Sequence, residues 1–146
     1  MSNSKLESIS VPARCIDWRA ASRACEAAAA AAEAEGLRIN VAVVDASGVL
    51  AGFLRMPGAP LHSVEIAIDK AYTAASFGLP TSQWSTILAS EKVLELGLPV
   101  RPRFVVLGGG LPIVEDGVPI GAIGASGASA EQDEACARAG LRAIGL

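Results

Sequence analysis

An Asp-Gly pair set between two apolar runs constrains this chain more than any other feature. Asp116-Gly117 separates residues 111–114 from residues 118–123, both rich in Leu, Ile, Val and Ala. Asp and Gly tolerate the positive φ that a tight two-residue turn needs, so the stretch predicts a β-hairpin. Gly121, Gly124 and Gly127 then recur every third residue. Glycine inside a strand weakens it, and so marks a bend or the close approach of another group. Ser129 and Gln132 have the spacing of a capping box that opens a helix. Much of this hairpin is therefore bare backbone lying against something, either a ligand or another subunit.

Composition limits what surrounds it. Hydrophobic residues make up 51% of the 146 positions but aromatics only 4%, so the core must be built from Ala, Val, Ile and Leu. The formal charge is −3 with no basic cluster, which argues against nucleic acid and anionic membrane as partners. No apolar run reaches the roughly 20 residues that span a bilayer. Residues 1–10 are polar and lack a signal-peptide core, so we expect a short disordered lead-in, a single domain over 11–146 and a cytoplasmic location. Three widely spaced cysteines fit reduced thiols. One histidine, with no Cys-x-x-Cys pair, gives no basis for a metal site.

Taken in order, Asp17 caps a first helix that runs to about Glu35 through an alanine tract. A buried strand over 39–44, a turn over 45–48 and a return strand over 49–56 form another hairpin. A second helix covers Ser63–Phe77, with Ala67, Ala71 and Ala74 on one face. Pro80 breaks it, and Thr81 starts a short helix through Trp84. A further short helix covers 91–96, and 104–107 is expected as another sheet segment. The last helix runs over 130–144, with acids in its first turn as the helix dipole favours. This order predicts an α+β fold with one antiparallel sheet of about five strands and helices packed on it.

Several short motifs then coincide: Val43-Val44-Asp45-Ala46-Ser47-Gly48, Arg55-Met56-Pro57-Gly58-Ala59, Ala67-Ile68-Asp69-Lys70-Ala71-Tyr72-Thr73-Ala74, Gly109-Gly110-Leu111-Pro112-Ile113, and 120–127 with Gln132-Asp133-Glu134. With these segments the chain resembles the GlcG/HbpS-like family, the haem-degrading domain also found at the C-terminus of PduO-type corrinoid adenosyltransferases. The resemblance implies a profilin- or PAS-like sandwich with a five-stranded antiparallel sheet flanked by helices. It also implies dimer-based homo-oligomers, haem as a cofactor in some members, and an association with small-molecule catabolism.

Lys70 is the least ordinary charge in the sequence, a lysine among Ala67, Ala71 and Phe77. Either its stem covers apolar surface while its ammonium stays in water, or the ammonium points into a pocket and holds an anion. In the second case Lys70, Arg55 and the amides of Gly109 and Gly110 would grip a small anionic organic ligand. His62, Thr73, Gly124 and Ser126 would lie around it, between the second helix, the triple glycine and the 121–127 strand. A haem iron would need His, Met, Cys or Tyr. His62 is the single histidine, with Met56, Tyr72, Cys25 and Cys136 as the other candidates. Two functions follow. One is a cytoplasmic homo-oligomer that binds an anionic ligand, haem by resemblance. The other is a cofactor-independent enzyme acting on a carboxylated or carbonyl substrate by proton transfer, hydration or ring opening. Lys70, Asp69 and Glu65 would be its catalytic groups.

Overall fold

The computed structural model describes residues 5–146. Of the expected lead-in, 1–4 lie outside the described residues, and 5–10 are exposed and in neither helix nor strand. Helix α1 (Trp18–Ala34) begins where Asp17 accepts a hydrogen bond from the Arg19 amide. Strands β1 (Asn40–Asp45) and β2 (Leu50–Arg55) form the first hairpin. Helix α2 (Ser63–Phe77) follows and stops at Gly78. A single 3-10 turn (Thr81–Gln83) leads into the short helices α3 (Trp84–Ser90) and α4 (Lys92–Gly97). Strands β3 (Gly110–Glu115) and β4 (Val118–Ser126) form the second hairpin, and α5 (Ala130–Ala143) closes the chain. The Ser129–Gln132 capping box is present in both directions. At the β3–β4 turn Asp116 has φ 51° and Gly117 φ 76°, the paired positive values that match the twist of a two-residue hairpin.

The four strands are antiparallel in the order β2-β1-β4-β3, so the two hairpins meet along β1 and β4. Helices cover both faces. Alternate residues of β1 point to opposite sides, as a pleated strand requires. Val41 and Val43 join Leu111, Ile113 and Ile123 in a core roofed by α1 and α5. Ala42 and Val44 join Ala122 in a second core roofed by Ala67, Ala71 and Ala74 of α2. The first core is an ordinary one of branched aliphatics. The second is built almost entirely from alanine, which brings the α2 backbone close to the sheet.

The expected fifth strand is not found among the described residues: there the sheet has four strands, and 104–107 forms none. The Thr73 hydroxyl explains the difference. It accepts from the Val105 amide at 3.1 Å and donates to the Arg103 carbonyl at 2.9 Å, tying this backbone to α2 instead of to a sheet edge. The Phe104 ring meanwhile packs edge-on against Phe77 and Trp84, with centroids 5.7 and 4.8 Å away. The apolar run that reads as a strand is an aromatic plug beside the helix.

Two outcomes test this packing. A methyl at Gly124 would come within 2.6 Å of the Ala71 amide nitrogen, so Gly124→Ala should lower stability in urea denaturation by about 1–3 kcal/mol. Gly97→Ala, where a methyl meets open space, should not lower it. Burial pushes the Cys25 thiol up to about 11, whereas Cys15 is exposed. Iodoacetamide at about pH 8 should therefore alkylate Cys15 in the native protein and Cys25 only after unfolding.

Candidate functional site

The Lys70 ammonium does turn inward, and its side chain is only 1% exposed. It meets no open hollow. It donates to the Asp133 carboxylate at 2.9 Å and to the Ala125 carbonyl at 2.9 Å. Asp133 is held in turn by the Ala128 amide, which donates to its other oxygen at 3.0 Å. Burial pulls the Lys70 ammonium below the usual lysine range and lifts the Asp133 carboxyl above the usual carboxylate range, each opposed by the partner's charge. The negative guest of Lys70 is thus a residue of its own chain. An ammonium engaged in this way is not placed to attack a substrate or hold an external anion. Sequence reasoning missed Asp133 because an acid in the first turn of a helix already has an explanation. The signal that finds it is periodic: Asp133 shares the buried face of α5 with Cys136, Ala137 and Gly140.

The glycines expected to line a pocket are contact surfaces. A Cβ at Gly110 would come to 2.5 Å from the Lys70 carbonyl oxygen, and one at Gly109 to 2.6 Å from the Ala125 carbonyl oxygen. Gly124 faces the backbone of Ala67 and Ala71 in the same way. The amide of Gly110 is already used, donating to the Thr81 hydroxyl at 2.9 Å. Ser126 is buried opposite Asn40 in the β1–β4 ladder. Thr73 is spent on the 103–105 backbone, as described above. The hollow expected between α2, the triple glycine and β4 is therefore filled by the helix backbone itself. The expected pair of acids is also separated: Glu65 is exposed, and Asp69 accepts from Arg103 Nε at 2.9 Å.

Arg55 is the exception, because it does line a cleft. About 460 Å³ opens between α1 and the free edge strand β2. Ala29, Leu54 and Met56 are apolar lining residues, and the charged lining residues are Glu26 and Glu33 of α1, Arg38 after it and Arg55 of β2. Arg55 donates to the Ala59 carbonyl at 2.7 Å and to the Met56 carbonyl at 3.4 Å, so its head is fixed while other N–H donors remain. Among the described residues no ion pair joins either arginine to either glutamate. Ala59 lies three residues before His62, which is exposed at the start of α2 and makes no capping bond with its side chain. The other candidate iron ligands are less available. Met56 is 8% exposed, with its sulfur accepting the Ile39 amide at 3.5 Å. Cys25 and Cys136 are buried. The Tyr72 ring is covered by the Arg103 guanidinium at 3.6 Å.

The Lys70–Asp133 pair generates a direct expectation. Lys70→Met or Asp133→Asn alone leaves one charge buried without its partner, and each should cost about 3–5 kcal/mol in urea denaturation. The double variant should cost clearly less than the sum, because no unpaired charge remains and Asn can still accept from the Ala128 amide. Additive losses would mean that the two groups do not interact.

The profile of the haem-degrading HbpS-like proteins matches residues 16–142. An uncharacterised 15.0 kDa protein encoded between dhaT and dhaS in Citrobacter freundii is 37% identical, over 77% of this chain and 83% of its own. The corrinoid adenosyltransferase PduO of Salmonella typhimurium is 36% identical over 74% of this chain, but the matched part is only 32% of that enzyme. A crystal structure of a double mutant of Streptomyces reticuli HbpS superposes with a TM-score of 0.88 at 35% identity, covering 100% of this chain and 98% of the other. A complex of PduOC with haem superposes with a TM-score of 0.83 at 31% identity, covering 90% and 96%. The chain belongs to the HbpS-like family of haem-degrading proteins.

Proposed function

We propose that this chain is a cytoplasmic, homo-oligomeric protein that binds an anionic tetrapyrrole, haem, in the service of a catabolic pathway. The observation that carries the reading is the Arg38–Arg55 cleft, an apolar floor beside two guanidiniums, in a fold shared with a haem complex over most of its length. Haem asks for three things: apolar walls for the ring, cations for two propionates and a ligand for iron. Ala29, Leu54 and Met56 supply the first, and Arg38 and Arg55 the second. At 460 Å³ the cleft is within the roughly 300–1,000 Å³ of small-molecule sites, and it lies open along the edge of β2. The lining fits the ring and the propionates, and His62 is not among the lining residues.

For the third requirement we assign His62. Its imidazole is exposed, uncommitted to a capping bond and carried on the turn that Arg55 grips. When bound, haem supplies a redox-active iron. The chain's own part is to fix the propionates, to cover the ring with aliphatic side chains and to present one nitrogen. Glu26 and Glu33, also in the lining, would repel a propionate and so favour one orientation of the ring. The catabolic association is supported by the pdu and dha names of the relatives. Among the described residues no helix is long and apolar enough to cross a membrane, which agrees with a cytoplasmic location.

Haem titration tests the reading. A Soret band that grows to saturation is expected, weakened by Arg38→Ala together with Arg55→Ala and altered in position by His62→Ala. An unchanged spectrum in His62→Ala would remove that ligand alone. No Soret shift in the parent protein would overturn the proposed function.

A further inference from the structure

A second cleft, on the opposite side of the sheet from α1, has a different chemistry. It lies between the C-terminal half of α2 and the loop that carries Arg101 and Arg103, and measures about 310 Å³. Phe77, Leu98 and Phe104 form apolar walls, and Arg101 and Arg103 supply two positive charges. No carboxylate is among its lining residues. Asp69, one turn before Thr73 on α2, accepts from Arg103 Nε at 2.9 Å.

Three contacts hold Arg103 in place. Its backbone sits at φ 66°, where a non-glycine residue is uncommon and is retained only when its surroundings impose it. The Thr73 hydroxyl donates to its carbonyl. Asp69 holds its Nε, and the Tyr72 ring lies 3.6 Å beneath its guanidinium carbon. These contacts use one edge and one face of a planar group with five donors. Its two terminal nitrogens make no hydrogen bond among the described residues, and the residue lines the cleft. A guanidinium fixed in this manner is a fork prepared for a carboxylate, since the ordering cost is met before the ligand arrives. Arg101 adds a second cation and makes no ion pair among the described residues.

The apolar walls decide which carboxylate. Phe77 and Phe104 are edge-on to each other at 5.7 Å, and Phe77 is 45% exposed, so ring surface is open to the cleft. A volume of 310 Å³ is near the lower end for organic ligands and suits one ring, not a tetrapyrrole. We infer that this cleft is a binding site for a small aromatic carboxylate, distinct from the cleft proposed for haem. The carboxylate pairs with the terminal nitrogens of Arg103, assisted by Arg101, and the ring lies against Phe77 and Phe104. Asp69 is a positioning residue: it selects which edge of Arg103 faces the ligand.

The test is calorimetric titration of the full chain with benzoate. Benzamide, with the same ring and no charge, and inorganic phosphate, with charge and no ring, serve as comparisons. Saturable binding of one benzoate per chain is expected, with both comparison ligands weaker by about tenfold or more. Arg103→Lys keeps the charge but loses the planar fork, and should weaken benzoate about tenfold or more. Arg101→Ala, at an exposed position outside any element, provides a second variant that leaves the backbone of Arg103 undisturbed. It should weaken benzoate in the same direction. Asp69→Asn should weaken benzoate while leaving the weak benzamide affinity unchanged, which separates positioning from loss of fold. Absence of saturable benzoate binding, benzamide as tight as benzoate, or phosphate as tight as benzoate would each overturn the inference. So would unchanged benzoate affinity in both arginine variants. Because the haem reading uses other residues, a failed haem titration leaves this result standing, and the reverse holds as well.

Discussion

A helix can lie against a sheet as closely as α2 does only where both surfaces have shed their side chains. On the helix the contact is Ala67, Ala71 and Ala74, and on the sheet it is Ala122, Gly124 and the glycines that open β3. The rest of the architecture follows from that approach. With α2 pressed onto β4, the backbone at Gly109 and Gly110 must pass beneath Lys70, and the long lysine stem has only one direction left to take. It runs under the sheet end toward α5, where Asp133 waits at the other side of the same gap. Alanine packing, glycine spacing and the buried charge are three aspects of one geometric fact.

The parts of this fold that could be read directly from the chain are those decided by local chemistry. Asp17, Ser129 with Gln132, and Asp116-Gly117 set their helix starts and turn through contacts a few residues long, and all three are found as expected. The Ser63–Phe77 helix is bounded by Gly78 and Pro80, again within a few positions. Where reading failed, a contact between distant residues had overridden a local preference. The 104–107 run has the composition of a strand, but one hydroxyl thirty residues earlier holds its backbone. Lys70 could be identified as unusual, and its burial follows from the alanines around it. Its partner could not be, because Asp133 is sixty-three positions away and has a plausible local role. The glycines were correctly read as bare backbone at a close approach. What approached was the same chain (α2 at Gly124, β1 at Gly121 and the Arg38–Ile39 backbone at Gly127), and a sequence does not distinguish that visitor from a ligand.

Once the central gap is closed, recognition has to move outward, and the two clefts divide by charge as well as size. Beside α1 the lining mixes two arginines, two glutamates and apolar residues. Beside the end of α2 the only charged lining residues are Arg101 and Arg103, set among aromatic and aliphatic side chains, and Asp69 serves the arginine it contacts. A half-exposed ion pair such as Asp69–Arg103 contributes little to stability in water. Its consequence is directional: with Nε occupied and the ring of Tyr72 beneath, the free edge of the guanidinium has one orientation. The same loop that failed to become a fifth strand is what carries this arginine, so the departure from a regular sheet and the presence of the cleft have a common origin in Thr73.

The buried Lys70–Asp133 pair invites a question about why it is retained where aliphatic residues would fill the space. Burying two charges costs more desolvation than most other contacts in the core recover, and the opposing shifts of both groups show that cost. An alanine face, however, is nearly uniform along its length. Alanine slid by one turn over alanine and glycine loses almost no packing, so the second core by itself sets the distance of α2 from the sheet but not its position along it. Lys70 removes that freedom. Its ammonium is satisfied only when Ala125 O and Asp133 stand where they do, and a shift of one helical turn would leave a charge buried without a partner. The pair therefore fixes α2, β4 and α5 in a single register. The cleft beside the end of α2 depends on that placement, since Arg103 is hung from α2 through Asp69, Tyr72 and Thr73.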